Sequence, residues 1–119
     1  MRPKRSRMSQ KEESMTVTRI GEVQAKSDLT EAISTGSMHR LRDFLLSIMP
    51  TIKSSQGCQS VTLYQSHADP TKFIMIEVWD NVELHQASVK NIPPEMLAEI
   101  RPLLASAPSG GYYRVANEL

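Results

Sequence analysis

Between Phe73 and Trp79 the chain reads FIMIEVW, and no other stretch constrains the fold as tightly. In an extended strand successive side chains point to opposite faces. Phe73, Met75, Glu77 and Trp79 therefore share one face, and Ile74, Ile76 and Val78 share the other. Both faces are apolar enough to need cover, and one layer of helices covers only one of them. The other face calls for a second layer, most economically a second copy of the chain. Glu77 and Trp79, side by side on an otherwise apolar face, are the two groups that packing alone does not explain.

The flanking sequence turns this strand into half of a hairpin. Ser60 to Gln65 has strand composition, and the polar connection from Ser66 to Lys72 carries Asp69-Pro70, a turn signal. Upstream, Met15 to Lys26 (MTVTRIGEVQAK) reads as a strand with Val17, Gly21, Val23 and Ala25 on one face and Ile20 among polar residues on the other. A polar connection, Ser27 to Gly36, follows, in which Asp28 and Glu31 resemble a capping box over a short helical turn. Met38, Leu41, Phe44, Leu45, Ile48, Met49 and Ile52 then recur at helical spacing, with Ser37 as N-cap and Gly57 as terminator. Pro50 interrupts this helix at a cost of about 3 kcal/mol. Ile52 keeps the apolar register beyond it, which predicts a kink and not an end.

After the hairpin, Val82 to Lys90 is a short helix. Pro93-Pro94 opens another, with Pro94 at its first position and an apolar stripe of Met96, Leu97, Ile100, Leu103 and Leu104 bent at Pro102. Ser109-Gly110-Gly111 is expected to be a break before a last strand, Tyr112 to Ala116. Strand, helix, strand, strand, helix, strand is the split βαβ order of a ferredoxin-like α+β domain. Its antiparallel four-stranded sheet places the first and third strands in the centre and the helices on one face. The free face of such a sheet is commonly closed by dimerisation, so a homodimer is expected.

At 119 residues the chain is one domain. Residues 1–14 hold five basic and two acidic side chains and no apolar pattern, which marks a disordered leader before a domain spanning 15–119. That arm lacks aromatic residues and a folded basic surface beside it, so no nucleic-acid partner is expected. No run approaches the ~18 apolar residues of a membrane span. One cysteine, Cys58, cannot form an internal disulfide, which fits a reducing cytoplasm, and it reads as a small buried residue. The three histidines have no metal-ligand spacing, so no metal is expected.

The segment PTIKSSQGC ahead of the second strand, the DPTKF turn, the EVWD strand end and the tail IPPE…LLASAPSGGYY resemble the antibiotic biosynthesis monooxygenase family, over roughly residues 15–115. The chain is most similar to its small stand-alone quinol-monooxygenase type. The resemblance implies a dimeric α+β barrel with a pocket between each subunit's sheet and helices. It implies a cofactor-independent monooxygenase acting on dioxygen and a quinol or aromatic polyketide-like small molecule. Alternatives within reach are an isomerase or degrading enzyme of a small carbonyl signalling compound, and a non-catalytic dimeric ligand-binding module. The family's haem-degrading members carry an asparagine on the first strand, and MTVTRIGEVQAK has none.

Oxygenation without a cofactor requires a base that ionises a phenol or quinol and a donor that holds the anion. A base works best with a pKa near ambient pH, which favours histidine. His85, on the helix just after Trp79, is the candidate base, and the resemblance places Trp79 at the pocket border, where its indole N–H could serve as donor. Tyr64, Tyr112, Tyr113, Glu77 and Arg19 are the candidate substrate-binding residues. Strand alternation allows one of Tyr112 and Tyr113 to face the pocket. A strand-interior acid needs a partner if buried, and Arg19 on the first strand is the expected ion-pair partner of Glu77. His39 and His67 are expected on the surface.

Overall fold

A computed structural model describes residues 16–27 and 36–118. The leader and the capping-box motif at Asp28 and Glu31 lie outside the described residues. The elements are β1 (Val17–Gln24), α1 (Ser37–Lys53), β2 (Cys58–Gln65), β3 (Lys72–Trp79), α2 (Val82–Val89), α3 (Pro94–Ile100), a 3-10 turn (Arg101–Leu103) and β4 (Ser109–Tyr113). The strands form one sheet in the order β2-β3-β1-β4, and every neighbouring pair is antiparallel. This is the ferredoxin-like α+β architecture that the element order predicts, with β1 and β3 in the middle.

Register follows the alternation. Val17 pairs with Trp79, Arg19 with Glu77, Gly21 with Met75 and Val23 with Phe73, which sets these residues in rows across one face. On that face Ala25, Leu41, Leu45, Phe73, Ile100 and Leu103 form the buried core, drawn from the residue after β1 and from β3, α1 and the α3 region. Among the described residues no such layer covers the opposite face, with Ile74 and Tyr64 in register: Tyr64 is 53% exposed and Ile74 37%.

Local chemistry accounts for the turns. In the hairpin loop the Asp69 carboxylate accepts from the Thr71 hydroxyl at 2.6 Å and the Thr71 N–H at 3.1 Å, which holds its pKa below the ordinary value. Helix α1 runs through Pro50 to Lys53, as the apolar register anticipates. Gly36, one residue earlier than expected, takes the N-cap position, and Ser54 the C-cap. Gly57 has φ +89°, a conformation that favours glycine, and a Cβ there would stand 2.9 Å from the Leu84 Cβ of α2. The glycine thus brings α2 close to the start of β2.

The last strand differs from expectation. Ser109, Gly110 and Gly111 lie inside β4, which ends at Tyr113 and does not continue to Ala116. Gly110 pairs with Gly21, and a Cβ on it would lie 2.6 Å from Arg19 Nη2. Glycine reads as a break in sequence, but in an edge strand it also marks close approach of another group. Here that group is the Arg19 side chain. At Pro102 the α3 helix has already tightened into the 3-10 turn.

Candidate active site

Three strands and one helix converge at the end of the sheet away from the apolar core. Arg19 on β1 is in register with Glu77 on β3 and with Tyr112 on β4, so the three share a row on the helix-covered face. Trp79 lies in the next row. Two residues separate β3 from helix α2, and Asn81 caps the helix, its side-chain oxygen accepting from the Leu84 N–H at 2.9 Å. One turn into this helix, His85 meets the row and is 8% exposed.

The contacts form a chain. The Trp79 indole N–H donates to Glu77 Oε1 at 2.8 Å. The same oxygen lies 3.9 Å from His85 Nε2. The other ring nitrogen, Nδ1, is 2.6 Å from the Tyr112 hydroxyl. The imidazole stands edge-on between two aromatic rings, with centroids 5.3 Å from Trp79 and 5.4 Å from Tyr112. The Arg19 guanidinium lies 5.1 Å from the centroid of the Tyr112 ring, in cation–π range.

Burial acts on both titratable members. It pushes the Glu77 carboxyl above its ordinary pKa, opposed by the Trp79 hydrogen bond and the Arg19 charge. It pushes His85 below its ordinary value, helped by the Arg19 charge. Desolvation thus favours the uncharged form of each group. A histidine held neutral, with one nitrogen on a phenolic hydroxyl and a carboxylate on its far side, can accept a proton and have the resulting charge balanced.

The sequence candidates separate into two sets. His85, Trp79, Glu77, Tyr112 and Arg19 come together. Tyr64 and Tyr113 do not, since Tyr64 pairs with Ile74 and Tyr113 with Thr18 on the opposite face, and both are more than half exposed. Arg19 is the register partner of Glu77, yet no ion pair between them forms among the described residues. The carboxylate turns instead to Trp79 and His85, and the guanidinium to Tyr112. The indole N–H is occupied by Glu77, so it is not a free donor for a substrate anion. What sequence reasoning missed was the His85–Tyr112 bond between residues 27 apart, for which local spacing carries no signal.

Of the other sequence candidates, His67 is exposed and His39 is half-buried, with Nδ1 3.2 Å from Arg42 Nη2. Cys58 is half-buried, and burial raises its thiol pKa. Among the described residues no cluster of metal-ligating side chains forms, and no helix is long and apolar enough to cross a membrane. Open clefts of about 420 Å³ between α1 and β2 and about 490 Å³ beside α3 are not lined by His85 or Trp79.

The fold and this cluster define a small ferredoxin-like α+β domain with a buried histidine at the sheet–helix junction. The sequence matches the family described as antibiotic biosynthesis monooxygenase over residues 17–105, and the chain belongs to that family. Solved structures share the fold at low identity. A conserved protein from Methanosarcina mazei superposes with a TM-score of 0.70 at 14% identity, covering 88% of this chain and 97% of that one. A protein from Pseudomonas aeruginosa gives 0.67 at 22% identity, with 87% and 98% covered. SnoaB, a cofactor-independent oxygenase from Streptomyces nogalater, gives 0.66 at 13% identity, with 87% and 96% covered. No curated protein matches the chain significantly.

Proposed function

We propose that the protein is a cofactor-independent monooxygenase acting on a quinol or aromatic polyketide-like small molecule, with His85 as the base. The observation that carries this reading is the buried imidazole, 2.6 Å from the Tyr112 hydroxyl and backed by the Glu77 carboxylate. Family membership and the fold shared with an oxygenase that works without cofactor support it. An electron-rich ring supplies its own electrons once ionised. Its anion attacks dioxygen to form a peroxide, which loses water and leaves a carbonyl on the ring. The protein need only remove a proton, hold the anion and exclude water.

The active assembly in this reading is a homodimer closed through the free sheet face. Tyr64, Ile74 and Tyr113 on that face are 53%, 37% and 55% exposed, an apolar and aromatic surface that no helix of the described residues covers. Sedimentation at micromolar concentration should give a dimer, and a stable monomer would remove this part of the reading. For the chemistry, oxygen uptake is followed across a quinol panel with no added flavin or metal. Aerobic turnover of at least one member, absent under anaerobic conditions, is expected. A panel with no oxygen uptake would leave the non-catalytic ligand-binding alternative.

A further inference from the structure

We propose that Tyr112 is the group that meets the substrate, that His85 takes the substrate proton through it, and that Glu77 is the positioning residue that selects the basic nitrogen. The substrate class rests on the monooxygenase reading and is narrowed here to molecules with an acidic hydroxyl on the reacting ring.

A neutral imidazole carries one N–H, and its neighbours choose the nitrogen. His85 Nε2 faces Glu77 Oε1 at 3.9 Å. The relay uses Glu77 in its ionised form, which the Trp79 hydrogen bond and the Arg19 charge favour against burial. An ionised carboxylate only accepts, so it favours the tautomer with the proton on Nε2. The opposite tautomer would aim the Nε2 lone pair at a negative oxygen. With Nε2 protonated, Nδ1 is bare, and at 2.6 Å the Tyr112 hydroxyl must be the donor. Trp79, wholly buried, keeps the carboxylate in place through its 2.8 Å bond to the same oxygen. The lock therefore runs from Trp79 to Glu77 to the far side of the imidazole.

Access completes the argument. His85 on α2 is buried, whereas Tyr112 on β4 is half-buried. Of the two bonded groups, Tyr112 is therefore the one on the more open residue. Arg19 lies against the Tyr112 ring, in space left open by Gly110. Its charge opposes a lasting positive charge on His85, which helps return the proton.

The step balances as a transfer of one proton. The substrate O–H bond breaks and its proton goes to Tyr112 Oη. The Tyr112 O–H bond breaks and that proton goes to His85 Nδ1. The products are a substrate oxyanion, neutral Tyr112 and an imidazolium whose Nε2–H faces the carboxylate. No electrons leave the protein.

The groups facing His85 are Glu77 and Trp79 from β3, Arg19 from β1 and Tyr112 from β4, and the test addresses them in turn in the full chain. Nitrogen-15 shifts of the His85 ring should show protonated Nε2 and bare Nδ1, and protonated Nδ1 would overturn the relay. Tyr112→Phe should lower turnover of a quinol or phenol probe about 10²-fold while KM stays within a few-fold. Full turnover in that variant would sink the relay and leave the monooxygenase reading intact. If no phenol or quinol is turned over at all, both fall. Glu77→Gln keeps an oxygen for the Trp79 N–H but removes the charge facing Nε2. The His85 titration midpoint should drop in it, and an unchanged midpoint and tautomer would reduce Glu77 to packing.

Discussion

The two ends of the helix-covered sheet face are built by the same strands and do opposite work. At one end Ala25, Leu41, Leu45, Phe73, Ile100 and Leu103 bury carbon against carbon. At the other, Trp79, Glu77, His85 and Tyr112 join polar atoms in hydrogen bonds and a close His85–Glu77 approach, with the Arg19 guanidinium against the Tyr112 ring. Among the described residues no buried side-chain nitrogen or oxygen lacks a partner. The apolar end stabilises by removing surface from water, at about 25 cal/mol per Å². The polar end gains little net stability, because each hydrogen bond replaces one to water. What it gains is a fixed arrangement of groups whose proton affinities burial has moved.

The largest effect should come from the apolar end. Phe73→Ala removes a ring that is 1% exposed and should cost about 3–5 kcal/mol in denaturant unfolding. Any folded remainder should keep the His85–Tyr112 bond by NMR. A loss under 1 kcal/mol would mean that the core lies elsewhere.

His85→Ala tests the polar end. Turnover of an accepted quinol should fall about 10²-fold or more, while stability changes by less than in Phe73→Ala. If both variants lose stability equally and turnover survives in His85→Ala, the distinction between the two ends collapses.

Trp79 belongs to both ends, being wholly buried and a hydrogen-bond donor. Trp79→Ala should cost about 3–5 kcal/mol. Trp79→Phe keeps most of the ring, loses only the donor to Glu77, and should cost less stability while still weakening activity. Equal stability losses in the two variants would mean that the N–H donor to Glu77, and not the packing of the ring, carries the contribution of Trp79 to stability.

The smallest effect is a change of slope with pH. Glu77 has a raised folded pKa, so between its ordinary and raised values the native state binds more protons than the unfolded one. Its contribution to stability therefore falls as pH rises through that window. His85 has a lowered folded pKa, so the unfolded state binds more protons just below its ordinary value. Its contribution is lost as pH falls through that window. The two slopes oppose each other in wild type. Glu77→Gln removes the first, so its Tm should climb more steeply with pH on the acid side of neutrality. Parallel Tm curves for the two proteins would show that the carboxyl is not desolvated as described.

Much of this was legible from one strand and its neighbours. Alternation in Phe73–Trp79 assigned faces, helical spacing from Met38 to Ile52 located α1, and the order of elements implied the sheet topology. These are local patterns, and local patterns survive in a linear sequence because backbone geometry repeats with period 2 or 3.6. The same alternation grouped Glu77 with Trp79. It left open whether Tyr112 or Tyr113 faces the helices, because β4 was placed too late.

Three-dimensional packing decided the rest. Gly110 sits in β4 because the Arg19 side chain needs its missing Cβ, which no count along β4 alone could show. Glu77 turned from its register partner Arg19 to Trp79 and His85, since a carboxylate's direction depends on the donors around it and not on strand pairing. The 2.6 Å contact of His85 with Tyr112 joins residues 27 apart on different elements, so only the path of the chain through space could bring it about. The sequence by itself determined the sheet, its two apolar faces and the presence of a histidine after the third strand. The tertiary structure determined which groups that histidine meets, because hydrogen bonds depend on positions within tenths of an ångström.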